Sequence, residues 1–282
     1  MHTGLPSGAS PYRVEIRPRP GLFDLDLGAV WNKRELLFFL IWRDLKVRYA
    51  QAALGVGWAV IQPVLTVLIF SLIFGAFAKL PSDGIPYPVF AFAAVLPWSY
   101  FSEATRRGSF GLVGDTDLIK KIYFPRLIIP LSNVVTPLVD FAVTFVVLLV
   151  VMVWYGIVPG PQIVFLPLFV AMMFLLALGI SLWLGPINVR YRDVVHTMPL
   201  LLQIWMYATP IVYPLSLVPE KWKTLYSLNP MVGIIEGVRW SLLGRGSVDL
   251  TALAISAAVI AVLVVGGLIW FRKAERSFAD VI

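Results

Sequence analysis

Glu103 is followed three and four residues later by Arg106 and Arg107, a spacing that on a helix sets one carboxylate beside two guanidinium groups. The chemistry this offers is an ion pair at a membrane interface. The sharper case is Asp140, which lies in an apolar run after Thr136 and Pro137 and before Thr144. An ionisable residue inside a spanning segment is a candidate for function by default, and it suits a structural pair or an interhelical hydrogen bond equally well. No second carboxylate accompanies it for paired acid–base work, no nucleophile stands beside a base, and no chain of intramembrane acids and histidines forms a proton relay. The sequence has no Cys, and His2 and His196 are too few and too far apart for a metal site. It also lacks the GxxxxGK[ST] phosphate cradle, so if ATP drives this chain, another polypeptide hydrolyses it. No catalytic residue, metal or cofactor is expected here.

The polar residues that remain are basic or aromatic. A basic island, 106–126, with the sequence RRGSFGLVGDTDLIKKIYFPR, separates two long apolar segments. Aromatic residues cluster as Phe90, Phe92, Trp98, Tyr100 and Phe101, and again as Trp205, Tyr207, Tyr213, Trp222, Tyr226 and Trp240. Such residues anchor helices at membrane interfaces, and they could also line a passage on which sugar rings stack.

The elements that position these groups are membrane helices. The 282 residues are 59% hydrophobic and 14% charged, with a mean hydropathy of +0.83, far above the apolar share of soluble domains. Charge is absent from 49–78, 84–102, 141–189, 194–219 and 250–271. Since about 20 apolar residues cross ~30 Å of hydrocarbon, each run spans at least once. The third is long enough for two spans, with Pro159, Gly160 and Pro161 at its turn. Six spans are expected, at about 55–78, 86–107, 129–156, 163–187, 195–213 and 250–271. With the N-terminus inside, only Lys79, Lys221, Lys223, Arg239 and Arg245 of the 23 Lys and Arg face outward, which argues for cytoplasmic termini. The net charge of +7 is thus a matter of topology and anionic-lipid contact, and nucleic-acid binding is excluded because no separate basic domain exists.

Ahead of the first span, residues 1–29 read as a Pro/Gly-rich cytoplasmic arm with no apolar core of signal-peptide length. Residues 30–52 read as an amphipathic helix lying in the inner interface. Trp31, Phe38, Ile41, Trp42, Leu45 and Tyr49 are expected on one face, and Asn32, Glu35, Arg43 and Lys46 on another. Gly55 and Gly57 suggest close helix packing, and Pro63 frees a backbone carbonyl that Gln62 or a neighbour could satisfy. Residues 214–246 read as an external hairpin of two short helices broken at Asn229-Pro230, re-entrant into the outer leaflet. Residues 272–282 form a tail. The fold class is an all-α integral membrane protein.

Several stretches resemble a known family. Leu118-Ile119-Lys120-Lys121-Ile122-Tyr123-Phe124-Pro125-Arg126 with Ile129-Pro130-Leu131-Ser132 looks like the loop after the second span of ABC-2-type polysaccharide export permeases. The likeness continues in Arg43-Asp44, Arg48-Tyr49, Leu54-Gly55, Trp58 and Gln62-Pro63, then in Leu96-Pro97-Trp98. It extends through Asn188-Val189-Arg190-Tyr191-Arg192-Asp193, Leu228-Asn229-Pro230-Met231, and the tail from Phe271 with Ala274-Glu275 and Phe278-Ala279-Asp280. The longer N-terminal arm departs from the family pattern.

The resemblance implies a homodimer in the bacterial inner membrane, bound to two copies of a cytoplasmic ATPase that holds ATP and Mg, exporting a lipid-linked glycan such as O-antigen, teichoic acid or capsule. It places ATPase coupling at Arg43, Lys46, Arg48, Asp115, Asp117, Lys120, Lys121, Tyr123, Arg126, Arg190, Arg192 and Asp193. Conduit candidates are Phe90, Phe92, Trp98, Tyr100, Glu103, Asp140, Trp205 and Tyr207, and candidates at the external gate are Trp222, Tyr226, Asn229, Pro230, Glu236 and Arg239. The alternatives are an ABC-2 exporter of a drug or lipid and, from another class, a secondary transporter; the latter should show paired broken helices, and no matched pair is evident.

Overall fold

A computed structural model describes residues 27–50, 55, 57–122, 124–191, 193–244 and 249–275, and among these there is no β-strand. The expected arm, apart from its last residues, and the tail beyond Glu275 lie outside the described residues. Four helical stretches are long and apolar enough to cross a membrane: Gly57–Phe77, Ile128–Trp154, Pro161–Arg190 and Leu250–Glu275.

Two expected spans differ from these four, each for a physical reason. The second is helix α4 (Tyr87–Gly114), which at 28 residues has ample length. Every side chain from residue 89 to residue 98 is buried by neighbouring helices, so lipid imposes no apolarity on it. It is the central post, touching α3 (Gly57–Phe70), α6 (Ile128–Val135), α7 (Pro137–Trp154), α8 (Leu166–Arg190), α9 (Val194–Tyr207) and α11 (Pro230–Leu243). Small residues permit this closeness: a Cβ on Gly108 would fall 2.1 Å from the Ser181 hydroxyl of α8. The expected fifth span contains α9, whose 14 residues reach only about 21 Å, short of the hydrocarbon thickness. Its remainder, 208–214, is irregular and mostly buried.

Proline shapes several elements. Pro63 inside α3 cannot donate to the carbonyl of Ala59, and Thr144 of α7 does so instead at 2.9 Å, supplying the neighbouring donor that the sequence requires. Pro137 likewise separates α6 from α7. Gly55 sits at φ +47° in a turn before α3, so it serves a backbone conformation rather than the expected close helix approach. The C-terminal end of α3 continues as a π-helical stretch, Ser71–Phe77.

Helices α1 (Leu27–Asn32) and α2 (Arg34–Ala50) precede the bundle. The face of α2 that meets α6 carries Leu36, Leu37 and Leu40, with Leu40 fully buried. Trp31, Phe38, Phe39 and Trp42 point away from the bundle and are exposed. The expected division of faces takes on a direction here: the aromatic face turns outward, and Arg43, on the other face, turns inward toward Asp115 at the end of α4. Beyond α9 come α10 (Glu220–Ser227) and α11, and Gly244 at φ +64° ends the latter in the left-handed conformation that favours glycine. The last helix, α12 (Leu250–Glu275), packs on α8 and α11.

Candidate functional site

The polar residues converge where α2, α4 and α7 meet. Asp140, isolated in the sequence, accepts hydrogen bonds from the Arg48 guanidinium on one oxygen and from the Tyr49 hydroxyl on the other. Both donors come from the end of α2, some ninety residues away. A second Arg48 nitrogen lies 3.9 Å from Glu103. Glu103 in turn receives two bonds of 2.9 Å from Arg106 and one of 2.8 Å from Arg107, so the local pair expected from the spacing is present. One turn earlier on α2, Arg43 bridges Asp44 at 2.8 Å and Asp115 at 2.9 Å. Burial draws the Arg43 guanidinium down, but its hydrogen bonds and charge contacts with the two aspartates outweigh this and leave it above its ordinary value. The result is a ladder of ion pairs fastening α2 to α4 and α7. Above it, between α3, α4 and α7, lies a cavity of about 180 Å³ whose walls include Arg48, Gln62, Glu103, Asp140 and Thr144.

The remaining coupling candidates are placed differently. Helix α5 (Thr116–Lys121) follows α4 directly, and its Asp117, Lys120 and Lys121 are exposed and make no ion pair with any described residue. Lys46 is also exposed. Arg126 donates to the carbonyl of Glu275 at 2.6 Å, tying the segment after α5 to the end of α12. Arg190 lies over the Tyr191 ring at 5.4 Å, and Asp193 is exposed just before α9. Tyr123 and Arg192 fall outside the described residues. The list drawn from the sequence therefore sorts into residues pinned inside the chain, namely Arg43, Arg48, Asp115 and Arg126, and an unpaired set centred on α5.

Most of the conduit candidates hold helices together. Phe90, Phe92, Trp98 and Tyr100 are buried within a single chain, with the Tyr100 hydroxyl donating to the carbonyl of Val134 at 3.1 Å. Trp205 packs edge-on against Phe101 at 5.1 Å and Trp98 at 6.5 Å. Of the aromatic candidates, Tyr207 is the one exposed on the surface of the chain.

Around the candidates for an external gate, polar side chains complete an irregular backbone. Arg239 of α11 is only 5% exposed, yet it donates to the carbonyl of Ile211 at 2.8 Å, pairs with Glu236 at 2.9 Å and lies 3.7 Å from the centre of the Phe90 ring. The Tyr87 hydroxyl donates to the carbonyl of Val212 at 2.6 Å. Asn229 caps α11 by accepting from the Met231 amide at 3.1 Å, and the same oxygen accepts from the Trp205 indole at 2.9 Å. Its amide donates to the Thr209 hydroxyl at 3.0 Å. Pro230 occupies the first turn of α11, where a missing N–H costs nothing. On α10 Trp222 is exposed, whereas the Tyr226 hydroxyl meets that of Tyr213. In the sequence Arg239 reads as an outward-facing charge and a candidate at the external gate, and nothing near it signals that 208–214 would need a donor.

Comparison with known proteins matches residues 35–243 to the family of ABC-2 type transporters. The chain belongs to the ABC-2 type transporter family. Among its relatives is the O-antigen export system permease protein RfbA of Myxococcus xanthus, 32% identical over 256 residues, covering 90% of this chain and 97% of the relative. A protein of the same name from Klebsiella pneumoniae is 31% identical over 249 residues, covering 88% and 95%. The polysialic acid transport protein KpsM of Escherichia coli is 23% identical over 243 residues, covering 84% and 93%. The ABC-2 match takes in the ion-pair ladder, α5 and the segment through α11.

Proposed function

We propose that this chain is the membrane subunit of an ATP-driven exporter of lipid-linked polysaccharide, of the O-antigen type. The observation that carries the reading is its similarity to O-antigen export permeases along nearly the whole of both sequences. A capsule-type glycan is the second cargo, on the likeness to the polysialic acid transport proteins.

In this reading two copies of the chain assemble in the bacterial inner membrane with both termini cytoplasmic. Six segments cross, α4 as an interior helix and α9 with the buried stretch 208–214 as a broken span, while α10 and α11 form the re-entrant external hairpin. Non-helical backbone at that depth is admissible because protein donors satisfy its carbonyls. Each copy docks on a P-loop ATPase that carries the ATP and Mg. The exposed α5 is the surface on which that ATPase pushes, and its charges suit docking because no partner within the described chain claims them. The push passes to α4 through their junction at Asp115, and to α2 and α7 through Arg43, Arg48 and Asp140. A ladder of paired charges moves as a unit because separating any pair in low dielectric is costly. Rocking of the two copies then opens the path for the glycan.

The test is reconstitution of the chain with its ATPase in proteoliposomes containing a lipid-linked glycan. ATP-dependent appearance of the glycan on the far leaflet supports the reading, and ATP hydrolysis with no glycan movement contradicts it.

A further inference from the structure

Below the ion-pair ladder, between α2, α4 and α6, lies an open groove of about 520 Å³. Its charged lining is Arg43, Arg48, Arg106 and Arg107 with Asp44 and Asp115, and behind it Arg106 and Arg107 share the single carboxylate of Glu103. The arginines are not exhausted by their partners. Arg107 spends only its Nε on Glu103, and its two terminal nitrogens donate to no described residue. The Nη1 of Arg106 is equally unspent, since Nε and Nη2 take Glu103. The Arg107 side chain is only 19% exposed, so its free donors sit at the wall of a recess where water competes weakly. Gly114 at the end of α4 also lines the groove, and with nothing within 4 Å of where its Cβ would stand it leaves room for a ligand beside the helix.

The placement says what such a ligand would be. Phe38, Phe39 and Trp42 project from the side of α2 away from the bundle, a pattern suited to the headgroup region of a bilayer. The groove therefore stands at the depth of lipid phosphates, with the apolar lengths of α3 and α7 beginning directly above it. Guanidinium groups with unpaired N–H pairs bind phosphate oxygens in a bidentate manner. We propose that this groove holds the phosphodiester headgroup of an anionic glycerophospholipid of the inner leaflet, with Arg106 and Arg107 as its ligands. The phosphodiester, with its single negative charge, would take up the guanidinium donors that Arg106 and Arg107 leave unspent and wedge between α2 and α4, making the fastening of α2 dependent on membrane composition. This rests on the cytoplasmic placement of α2 described under Proposed function.

Native mass spectrometry of the full-length chain tests the site, titrated in detergent with phosphatidylglycerol, phosphatidylcholine or inorganic phosphate. Phosphatidylglycerol should bind with a saturable first step, phosphatidylcholine should not, and Arg107→Gln should weaken that step by about tenfold while Arg107→Lys retains most of it. An unchanged melting temperature of Arg107→Gln in lipid-free detergent shows that the loss is not unfolding; if that variant fails to fold, Arg106→Gln is used in its place. Equal binding of the zwitterionic lipid, competition by inorganic phosphate at similar concentration, or unaltered binding by the Gln variant overturns the proposal. Displacement by a polyprenyl diphosphate at lower concentration also overturns it, reassigning the groove to cargo. Retained ATPase co-purification alongside any of these outcomes refutes the lipid site while leaving the exporter reading intact.

Discussion

The two ends of the bundle spend polar side chains in different ways. At the ladder, charged residues of α2, α4 and α7 pair with one another side chain to side chain across helices. Around 208–214, Arg239, Tyr87 and Asn229 instead reach a backbone that has left the helix, and they supply donors its carbonyls would otherwise lack. The first arrangement sets which helices move together. The second allows a helix to stop inside the bundle. Removing a residue from the ladder leaves charges that neighbours partly accommodate, whereas removing Arg239 strands both the Glu236 charge and the Ile211 carbonyl. Substitution of Arg239 should therefore be the more damaging.

Arg239→Leu should have the largest effect. It leaves the Ile211 carbonyl bare and Glu236 without its cation, and a cost of about 3–5 kcal/mol is expected. Thermal unfolding of the purified chain in detergent would show it, and a melting temperature within the error of wild type would break the contrast between the two ends. Next comes Asp140→Ala, expected at about 2–3 kcal/mol because Arg48 keeps Glu103 only at 3.9 Å and is itself partly exposed. A double-mutant cycle with Arg48→Met sharpens this, and a coupling energy near zero would remove Asp140 from the ladder. Asp140→Asn with wild-type export would assign the residue to packing alone. Gly237→Ala tests plain sterics, since its Cβ would lie 2.0 Å from the Phe169 ring of α8; about 1–3 kcal/mol is expected in the same unfolding assay, without any change in ATPase binding. The smallest effect on stability, within about 0.5 kcal/mol, belongs to charge reversal at the unpaired Lys120 and Lys121.

Local signals in the sequence were readable to the extent that their consequences stay local. The Glu103–Arg106–Arg107 spacing led to a real pair, the rule that proline frees a carbonyl required a donor that proved to be Thr144, and Asn229-Pro230 does begin a helix. What depends on tertiary placement was not readable. Asp140 looked isolated because its partners lie ninety residues earlier. Arg239 looked like an exterior charge because the broken backbone it serves belongs to another segment. The aromatic residues of α2 suggest a common apolar face, whereas two partly buried ion pairs turn Arg43 and Arg48 toward the bundle instead. Helix α4 was read as an ordinary span, and apolarity alone cannot tell a lipid-facing helix from one enclosed by its neighbours.

The division of this end of the bundle into a pinned ladder and an unclaimed α5 is tested most directly by co-purifying the ATPase with the Lys120→Glu/Lys121→Glu chain. The account predicts loss of the ATPase from a chain that still inserts in the membrane and melts at the wild-type temperature. Undiminished ATPase recovery would contradict it.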